Sequence, residues 1–136
     1  MHSSCRPLYL VSACLMGLCS RYDGQVIQNS LCKSLLLETF WIPVCPEQLG
    51  GLPTPRPPAD IVGGNGSDVL AGNAKVLTRE GFDVTEAFIR GAFQVLAIAE
   101  NQSVEAILLK SRSPSCGQAG VTSALLRQHG FHIFEL

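Results

Sequence analysis

The chain has 136 residues, of which 46% are hydrophobic and 15% charged, and its formal net charge is -1. This length and apolar content suit a single domain, residues 1–136, with a core of its own. General nucleic-acid binding is not expected, because it depends on clustered Lys and Arg at the phosphates. No apolar run approaches the roughly 20 residues of a membrane span, and no signal cleavage site is evident, so we expect a soluble cytoplasmic protein.

Three apolar runs, which we interpret as strands, each lead into a cysteine. They are residues 8–13 before Cys14, residues 41–44 before Cys45, and residues 106–110, which pass through a serine-rich segment to Cys116. Short runs that are apolar on both faces are typical of buried parallel strands, and ligands collect at the carboxyl ends of such strands. We therefore expect the three cysteines at one edge of a sheet.

The loop after the first strand, residues 14–24, is dense in functional groups. It carries Cys14, Cys19, Arg21 and Asp23, and an Asp-Gly turn signal closes it. Loops of this composition are usually binding loops. The alternative is that Arg21 and Asp23 form a surface ion pair.

The next segment is predicted to be a short helix that Ser30 caps and that ends near Thr39. Its buried face is expected to carry Leu31, Leu35 and Leu36. Cys32 lies among these leucines, and we interpret it as a small buried hydrophobe.

Proline and glycine dominate residues 46–68. Five of the eight prolines lie at positions 46–58, which predicts a stiff loop and argues against a helix or an inner strand there. Within this loop, Arg56 is expected to anchor a polar substrate or to pair with Glu47, unless the loop is only a cover. Residues 61–68 lack the spacing of a phosphate-binding loop, and residues 69–78 are predicted to form a minor hairpin.

The second half of the chain alternates helices and strands. Asp83 and Glu86 are predicted to cap a long helix over residues 84–100, whose apolar residues recur at helical spacing. A helix over residues 119–128 and a strand over residues 131–134 complete the chain. The fold predicted from these elements is α/β, a single three-layer, Rossmann-like domain with a mainly parallel sheet and the cysteines at its carboxyl edge.

Three chemistries suit three cysteines at one sheet edge. Structural zinc normally takes four closely spaced ligands, and no fourth is obvious. Three thiolates suit a cubane iron–sulfur cluster that leaves one iron open to substrate. A nucleophilic thiol is the third possibility, with Cys116 as the candidate because a following helix N-terminus would lower its pKa.

Six ordered segments carry a family resemblance. They are residues 11–17 (VSACLMG), 21–24 (RYDG), 43–47 (PVCPE), 53–56 (PTPR), 83–85 (DVT) and 113–117 (SPSCG). Together they cover nearly the whole chain and resemble the DUF523 family, which includes bacterial thiouracil desulfidases. Characterised members hold a [4Fe-4S] cluster by three cysteines, and the fourth iron takes the sulfur from a thiolated uracil without net redox chemistry.

The resemblance implies a specific cofactor and substrate for this chain. The implied cluster ligands are Cys14, Cys45 and Cys116, with one open iron, whereas Cys5, Cys19 and Cys32 are not ligands. The implied substrate is a small thiolated pyrimidine of the 2-thiouracil or 4-thiouridine type. The implied products are uracil or uridine and sulfide.

Such a reaction needs a general base for water and a hydrogen-bond donor for the substrate. Glu47, two residues from a ligand, is predicted to be the base, and Ser113 the catalytic donor. The predicted substrate-binding residues are Arg21, Asp23, Arg56 and Ser115.

One departure from the family pattern follows Gly117. Family members carry an additional loop there, whereas residues 118–120 of this chain lead directly into the last helix. A loop at this position is expected to close the site. The alternative prediction is therefore a non-catalytic iron–sulfur or zinc-binding protein of the same fold.

Overall fold

The computed structural model describes residues 6–26 and 29–136, so Cys5 lies outside the described residues. The strands are β1 (Leu8–Ser12), β2 (Phe40–Val44), β3 (Ala59–Val62), β4 (Lys75–Thr78), β5 (Ala106–Leu109) and β6 (Ile133–Glu135). The α-helices are α1 (Ser30–Leu35), α2 (Pro46–Leu49), α3 (Gly66–Leu70), α4 (Thr85–Gln102) and α5 (Val121–Gln128), and a 3-10 helix spans Ala13–Met16.

The main sheet is parallel, with strand order β2-β1-β5-β6. Successive residues of its strands face opposite layers, as strand geometry requires. Leu10 packs with residues of α4 and α5 on one face, and Val11 packs with Cys32 and Leu36 on the other. The predicted α/β fold with a mainly parallel sheet is confirmed. Within residues 6–26 and 29–136, no helix is both long enough and apolar enough to cross a membrane.

The strand that ends at Cys45 is less buried than its sequence indicates. β2 lies at the edge of the sheet, and Phe40 and Trp41 are 57% and 39% exposed. The prediction of a strand buried on both faces is wrong, because an edge strand has a neighbour on one side only. Its end is nevertheless anchored in the core, since Val44 is buried.

Helix α1 presents a different face to the core from the one predicted. Asn29 caps it by accepting a hydrogen bond from the Cys32 N–H, so Ser30 is the first helical residue. Leu31 and Leu35 are exposed, whereas Cys32 and Leu36 are buried. The predicted apolar face is wrong for Leu31 and Leu35 and right for Leu36, and the interpretation of Cys32 as a buried hydrophobe is confirmed.

The proline- and glycine-rich region contains short elements that the sequence did not indicate. Pro46 begins α2, which is compatible with proline because the first helical N–H has no intrahelical partner. Asn65 and Asp68 form a capping box that starts α3. The predicted hairpin also differs, since β3 pairs antiparallel with β4 and α3 lies between them.

The two long helices agree better with prediction. α4 differs from the predicted helix by one or two residues at each end, and Asp83 accepts from the Thr85 N–H without forming the expected capping box with Glu86. α5 begins at Val121 and ends before Gly130, whose φ of +83° is the left-handed conformation that glycine adopts easily.

Candidate active site

The predicted meeting of the three cysteines occurs at one cavity. This cavity of about 340 Å³ lies beyond the carboxyl ends of β1, β2 and β5. Cys14, Cys45 and Cys116 all line it, and so do Glu47 and Ser113. Residues about 30 and 70 positions apart are brought together because parallel strands direct their carboxyl ends to the same edge.

The three cysteines of the cavity are free thiols, and the pKa values of Cys14 and Cys116 are raised. Burial raises the pKa of Cys14, as does the nearby Cys45, while Lys110 and Arg21 oppose the rise. Burial raises the pKa of Cys116 to about 12, although hydroxyl hydrogen bonds from Ser12 and Ser115 favour its thiolate. The expected lowering of the Cys116 pKa is wrong, because α5 begins only at Val121 and the buried thiol lies outside the helix N-terminus.

The three cysteines of the cavity could hold either a single metal ion or a metal cluster. Among the residues that the structure describes, no three Cys, His, Asp or Glu side chains converge as the ligands of a single metal ion do. The thiols of Cys14, Cys45 and Cys116 nevertheless border one cavity. Cys45 raises the pKa of Cys14, and both raise the pKa of Cys116. Cysteine thiolates are the usual ligands of iron–sulfur clusters, so the donor chemistry of this cavity fits such a group.

Arg56 lines the cavity, although it is only 8% exposed. Its Nε donates to Glu47 Oε1 at 3.0 Å, and its two terminal nitrogens donate to four further acceptors of the protein. These acceptors are Pro53 O, Thr54 Oγ1, Ser20 O and Cys45 Sγ, at 3.1, 2.9, 2.9 and 3.8 Å. All five guanidinium N–H groups therefore have acceptors within the chain.

Glu47 is held from two sides in the first turn of α2. Arg56 binds one carboxylate oxygen, and the hydroxyl of Ser115 donates to the other, Oε2, at 3.1 Å. Its side chain is 14% exposed and lies in the cavity wall. The sequence-based expectation that Arg56 pairs with this carboxylate is confirmed.

The serine-rich segment before Cys116 is a tight turn. Ser113 Oγ accepts the N–H of Ser115 at 3.2 Å and the N–H of Cys116 at 3.0 Å, while its carbonyl accepts the Gly117 N–H. The first residues of α5 also donate backbone hydrogen bonds to Pro114 O and Ser115 O. These bonds fix Ser113 and Cys116 at the cavity.

Arg21 and Asp23 form the ion pair that was the alternative to a binding role. Arg21 Nε and Nη2 lie 3.2 and 3.1 Å from the two carboxylate oxygens of Asp23. Of the two, Arg21 lines the cavity. Cys19, which the family resemblance leaves out of the ligand set, is exposed and donates to Gly24 O at 3.1 Å.

Sequence reasoning missed several residues of the cavity wall. Ser12 is the last residue of β1 and Lys110 directly follows β5, and Ser12 Oγ accepts the Lys110 N–H at 2.9 Å. Their place at strand ends was a usable signal. Asp60 lies in β3 and Arg79 directly follows β4, so no signal existed without the correct pairing of those strands.

Comparison with known proteins assigns the chain to a family. The family model described as 2-thiouracil desulfurase matches residues 9–135. The chain belongs to this family. Membership confirms the resemblance carried by the six sequence segments and places the chain in an enzyme family.

Two family relatives are similar over nearly their full lengths. The uncharacterized protein YbbK of Bacillus subtilis (strain 168) is 42% identical over 143 residues, covering 94% of this chain and 95% of YbbK. The solved structure described as [4Fe-4S]-dependent thiouracil desulfidase TudS (DUF523Vcz) has a TM-score of 0.80 at 39% identity. That match covers 96% of this chain and 91% of the other, which supports the same α/β fold.

Proposed function

We propose that this chain is a [4Fe-4S]-dependent desulfidase that converts a small thiolated pyrimidine to its oxygen analogue and sulfide. The proposed substrates are of the 2-thiouracil or 4-thiouridine type. Family membership and the similarity to TudS support this proposal. The observation that carries it is the single cavity bordered by Cys14, Cys45, Cys116, Glu47 and Ser113.

The proposed ligands of the cluster are Cys14, Cys45 and Cys116. Thiolates are the usual ligands of iron–sulfur clusters, and three of them leave one iron without a protein ligand. When bound, such a cluster supplies an iron that attracts the soft sulfur of the substrate and draws electron density from the ring carbon. A cavity of about 340 Å³ is at the small end of the range for small-molecule sites.

The proposed general base is Glu47, which accepts a proton from the water that attacks the ring carbon. Its side chain lines the cavity, and Arg56 and Ser115 hold its orientation. A base must lie within hydrogen-bond reach of the proton it removes, and a fixed carboxylate in the wall meets this need. Ser113 also lines the cavity and is the proposed donor to the substrate.

The other predicted binding residues are proposed to contribute in different ways. Arg21 lines the cavity and is proposed to contact the pyrimidine, with Asp23 holding its guanidinium. Arg56 and Ser115 are buried and donate to protein acceptors. We propose that these two act on the substrate through Glu47.

A second candidate function is a non-catalytic iron–sulfur protein with the same ligands. The short connection over residues 118–120 favours it, because that segment replaces the loop expected to close the site. The alignment with YbbK spans 143 residues, more than the 136 of this chain, so YbbK carries insertions relative to it. The two candidates differ in whether sulfide is released.

The experiment that tests the proposal is anaerobic sulfide release from 2-thiouracil and 4-thiouridine by the reconstituted chain. Glu47→Gln keeps the size of the side chain but removes its basicity, so we expect kcat to fall by about 10²- to 10⁴-fold at unchanged iron content. Glu80→Gln, at an exposed position, is the matched control and is expected to retain full activity. Loss of iron in Glu47→Gln would argue for a structural role, and absent sulfide release from the wild type would favour the non-catalytic candidate.

A further inference from the structure

The two faces of the main sheet are covered unequally. Among the described residues, the buried cluster that includes α4 and α5 has 16 members, whereas the cluster on the opposite face has five. The five are Val11, Leu15, Cys32, Leu36 and Leu108. The helical cover of this smaller cluster comes from α1, which has six residues, and from the 3-10 helix. Parallel sheets are almost always covered on both faces, so this thin layer is the unusual part of the fold.

Large apolar side chains on the outer surface of this thin layer are exposed to solvent. Leu31 and Leu35 lie on one face of α1, because residues four positions apart are neighbours on a helix. Leu37 lies in the turn after α1. The exposed fractions of these three leucines are 59%, 52% and 72%. The helix therefore buries one apolar face and presents a second apolar face to water.

Two aromatic residues extend the exposed surface to both edges of the sheet. Residues paired in register on neighbouring parallel strands face the same side. Trp41 of β2 is paired with Tyr9, which packs against the smaller cluster, and Phe134 of β6 is paired with Leu108, which belongs to it. Trp41 and Phe134 are 39% and 52% exposed. We call the five exposed residues of this side the α1-side patch: Leu31, Leu35, Leu37, Trp41 and Phe134.

The area of the α1-side patch approaches what one partner of a dimer contributes. At these exposed fractions, the patch presents about 500–600 Å² of surface to solvent in each chain. Monomers rarely expose apolar patches larger than a few hundred Å² unless the patch binds something. A standard interface takes about 800 Å² from each partner, and its polar rim supplies the part that apolar residues do not.

We propose that the α1-side patch is the interface between two copies of this chain, related by a two-fold axis. Charge favours a second copy over a charged partner, because residues 30–41 carry one lysine and one glutamate and the whole chain has a net charge of -1. Two such faces meet without net repulsion. A two-fold axis uses the same patch on both chains, so the assembly closes at two.

This inference goes beyond the proposed function and does not depend on it. None of the five patch residues lines the cavity with the three cysteines, so pairing through the patch leaves that cavity open in both copies. The sheet edge itself is a poorer surface for pairing, because Pro43 in the middle of β2 has no N–H to donate to an added strand. The two chains therefore meet through side chains of the thin layer.

The test is the mass of the full chain in solution, measured by sedimentation velocity over about 1 to 100 μM. We expect wild type to sediment at twice the mass of one chain and to dissociate on dilution. Leu35→Glu buries an unpaired charge from each copy in the interface, so we expect it to weaken association by at least about 100-fold. Phe93→Glu is the matched control and is expected to remain dimeric, because Phe93 is 51% exposed on α4, away from the patch.

Two further measurements keep the result decisive. Leu37→Glu lies outside the helix and is expected to dissociate the dimer even if Leu35→Glu disturbs the folding of α1. Hydrogen exchange of wild type is expected to slow in α1 as protein concentration rises, and to stay constant in α4. A wild-type chain that remains monomeric at about 100 μM would overturn the proposal. So would a dimer that survives both leucine substitutions, or an α1 whose exchange does not depend on concentration.

Discussion

At the scale of single residues, the buried ion pair between Arg56 and Glu47 determines much of the site. A buried charge is strongly unfavourable unless it is paired and its remaining hydrogen-bonding groups are satisfied. Arg56 meets both conditions, because one N–H binds Glu47 and the others bind acceptors that include Cys45 Sγ. The pair thus connects a proposed cluster ligand to the proposed base.

The residues of the site differ in how well sequence alone predicts them. Cys14, Cys45 and Cys116 each follow an apolar run, so their convergence follows from the geometry of parallel strands. The contact of Ser115 with Glu47 has no such signal, since it joins residues 68 positions apart through a turn whose shape depends on local hydrogen bonds.

The perturbed thiol of Cys116 predicts a pH-dependent stability for the chain purified without iron. Its pKa is about 12 in the folded chain against an ordinary 9.0, so the folded state holds this proton more tightly. The resulting stabilisation is complete below about pH 9 and is lost as the pH rises toward 12. As the pH rises from about 8 to about 11, we expect the urea concentration at the midpoint of unfolding to decrease, and to decrease less in Cys116→Ala.

The variant isolates the contribution of Cys116, because the other groups that titrate in alkali are common to both proteins. The quantity to compare between the two proteins is the change in the urea midpoint with pH. The midpoints themselves differ for another reason, because Cys116→Ala also alters the packing of the core at every pH. Equal falls in the two proteins would contradict the assignment of a raised pKa to this thiol.

At the scale of elements, the contact between α2 and α4 positions Glu47. Gly91 lies in the middle of α4, and a Cβ there would overlap the carbonyl of Pro46 at the start of α2. Gly50, just after α2, likewise has no room for a Cβ because of the Ala87 carbonyl. Arg90 adds a hydrogen bond from its Nε to Gly50 O at 3.1 Å. The two backbones therefore approach closely only because both glycines are present.

This close approach predicts that Gly91→Ala is destabilising. Alanine normally favours a helix interior over glycine by about 1 kcal/mol. Here the added methyl group must displace α2, and overpacking of this kind costs about 1–3 kcal/mol. We expect a lower free energy of unfolding by urea denaturation, and reduced iron binding on reconstitution because Cys45 directly precedes α2.

The matched control is Gln94→Ala, at an exposed position of the same helix. Its free energy of unfolding is expected to stay within about 0.5 kcal/mol of wild type. A Gly91→Ala protein as stable as wild type would show that the two helices separate without cost, contrary to the contact described.

The elements predicted from sequence share a strong local signal. α4 was predicted within one or two residues because its buried positions recur with helical spacing over five turns. The short elements α2 and α3 were missed, because four or five residues carry too little periodicity and their formation depends on capping and on contacts with α4 and α5. The exposed faces of β2 were mispredicted since its position at the sheet edge is a property of topology.

At the scale of the whole molecule, the cavity brings together segments that are far apart in the sequence, from Ser12 to Cys116. Its walls come from the ends of β1 and β2, from the segment after β5, and from the β3–β4 pair. The parallel order of the main sheet was predictable from alternating strands and helices. The second sheet was not, because α3 separates its two strands in the sequence.

The position of each cysteine relative to the cavity predicts which cysteines are needed for iron binding. Cys14, Cys45 and Cys116 border the cavity, whereas Cys19 is exposed in the loop after β1 and does not line it. Cys45→Ser and Cys19→Ser are therefore matched variants that differ in their relation to the cavity. Each exchanges one sulfur for oxygen in a side chain of similar size.

The most direct measurement is anaerobic reconstitution of wild type, Cys45→Ser and Cys19→Ser, with iron and sulfide quantitation and an absorption spectrum. Wild type and Cys19→Ser are expected to hold about four irons and four sulfides per chain, with a broad band near about 400 nm, and Cys45→Ser is expected to lose both. A wild-type chain that stays colourless, or a Cys45→Ser chain that keeps its full iron content, would contradict the three-cysteine cluster.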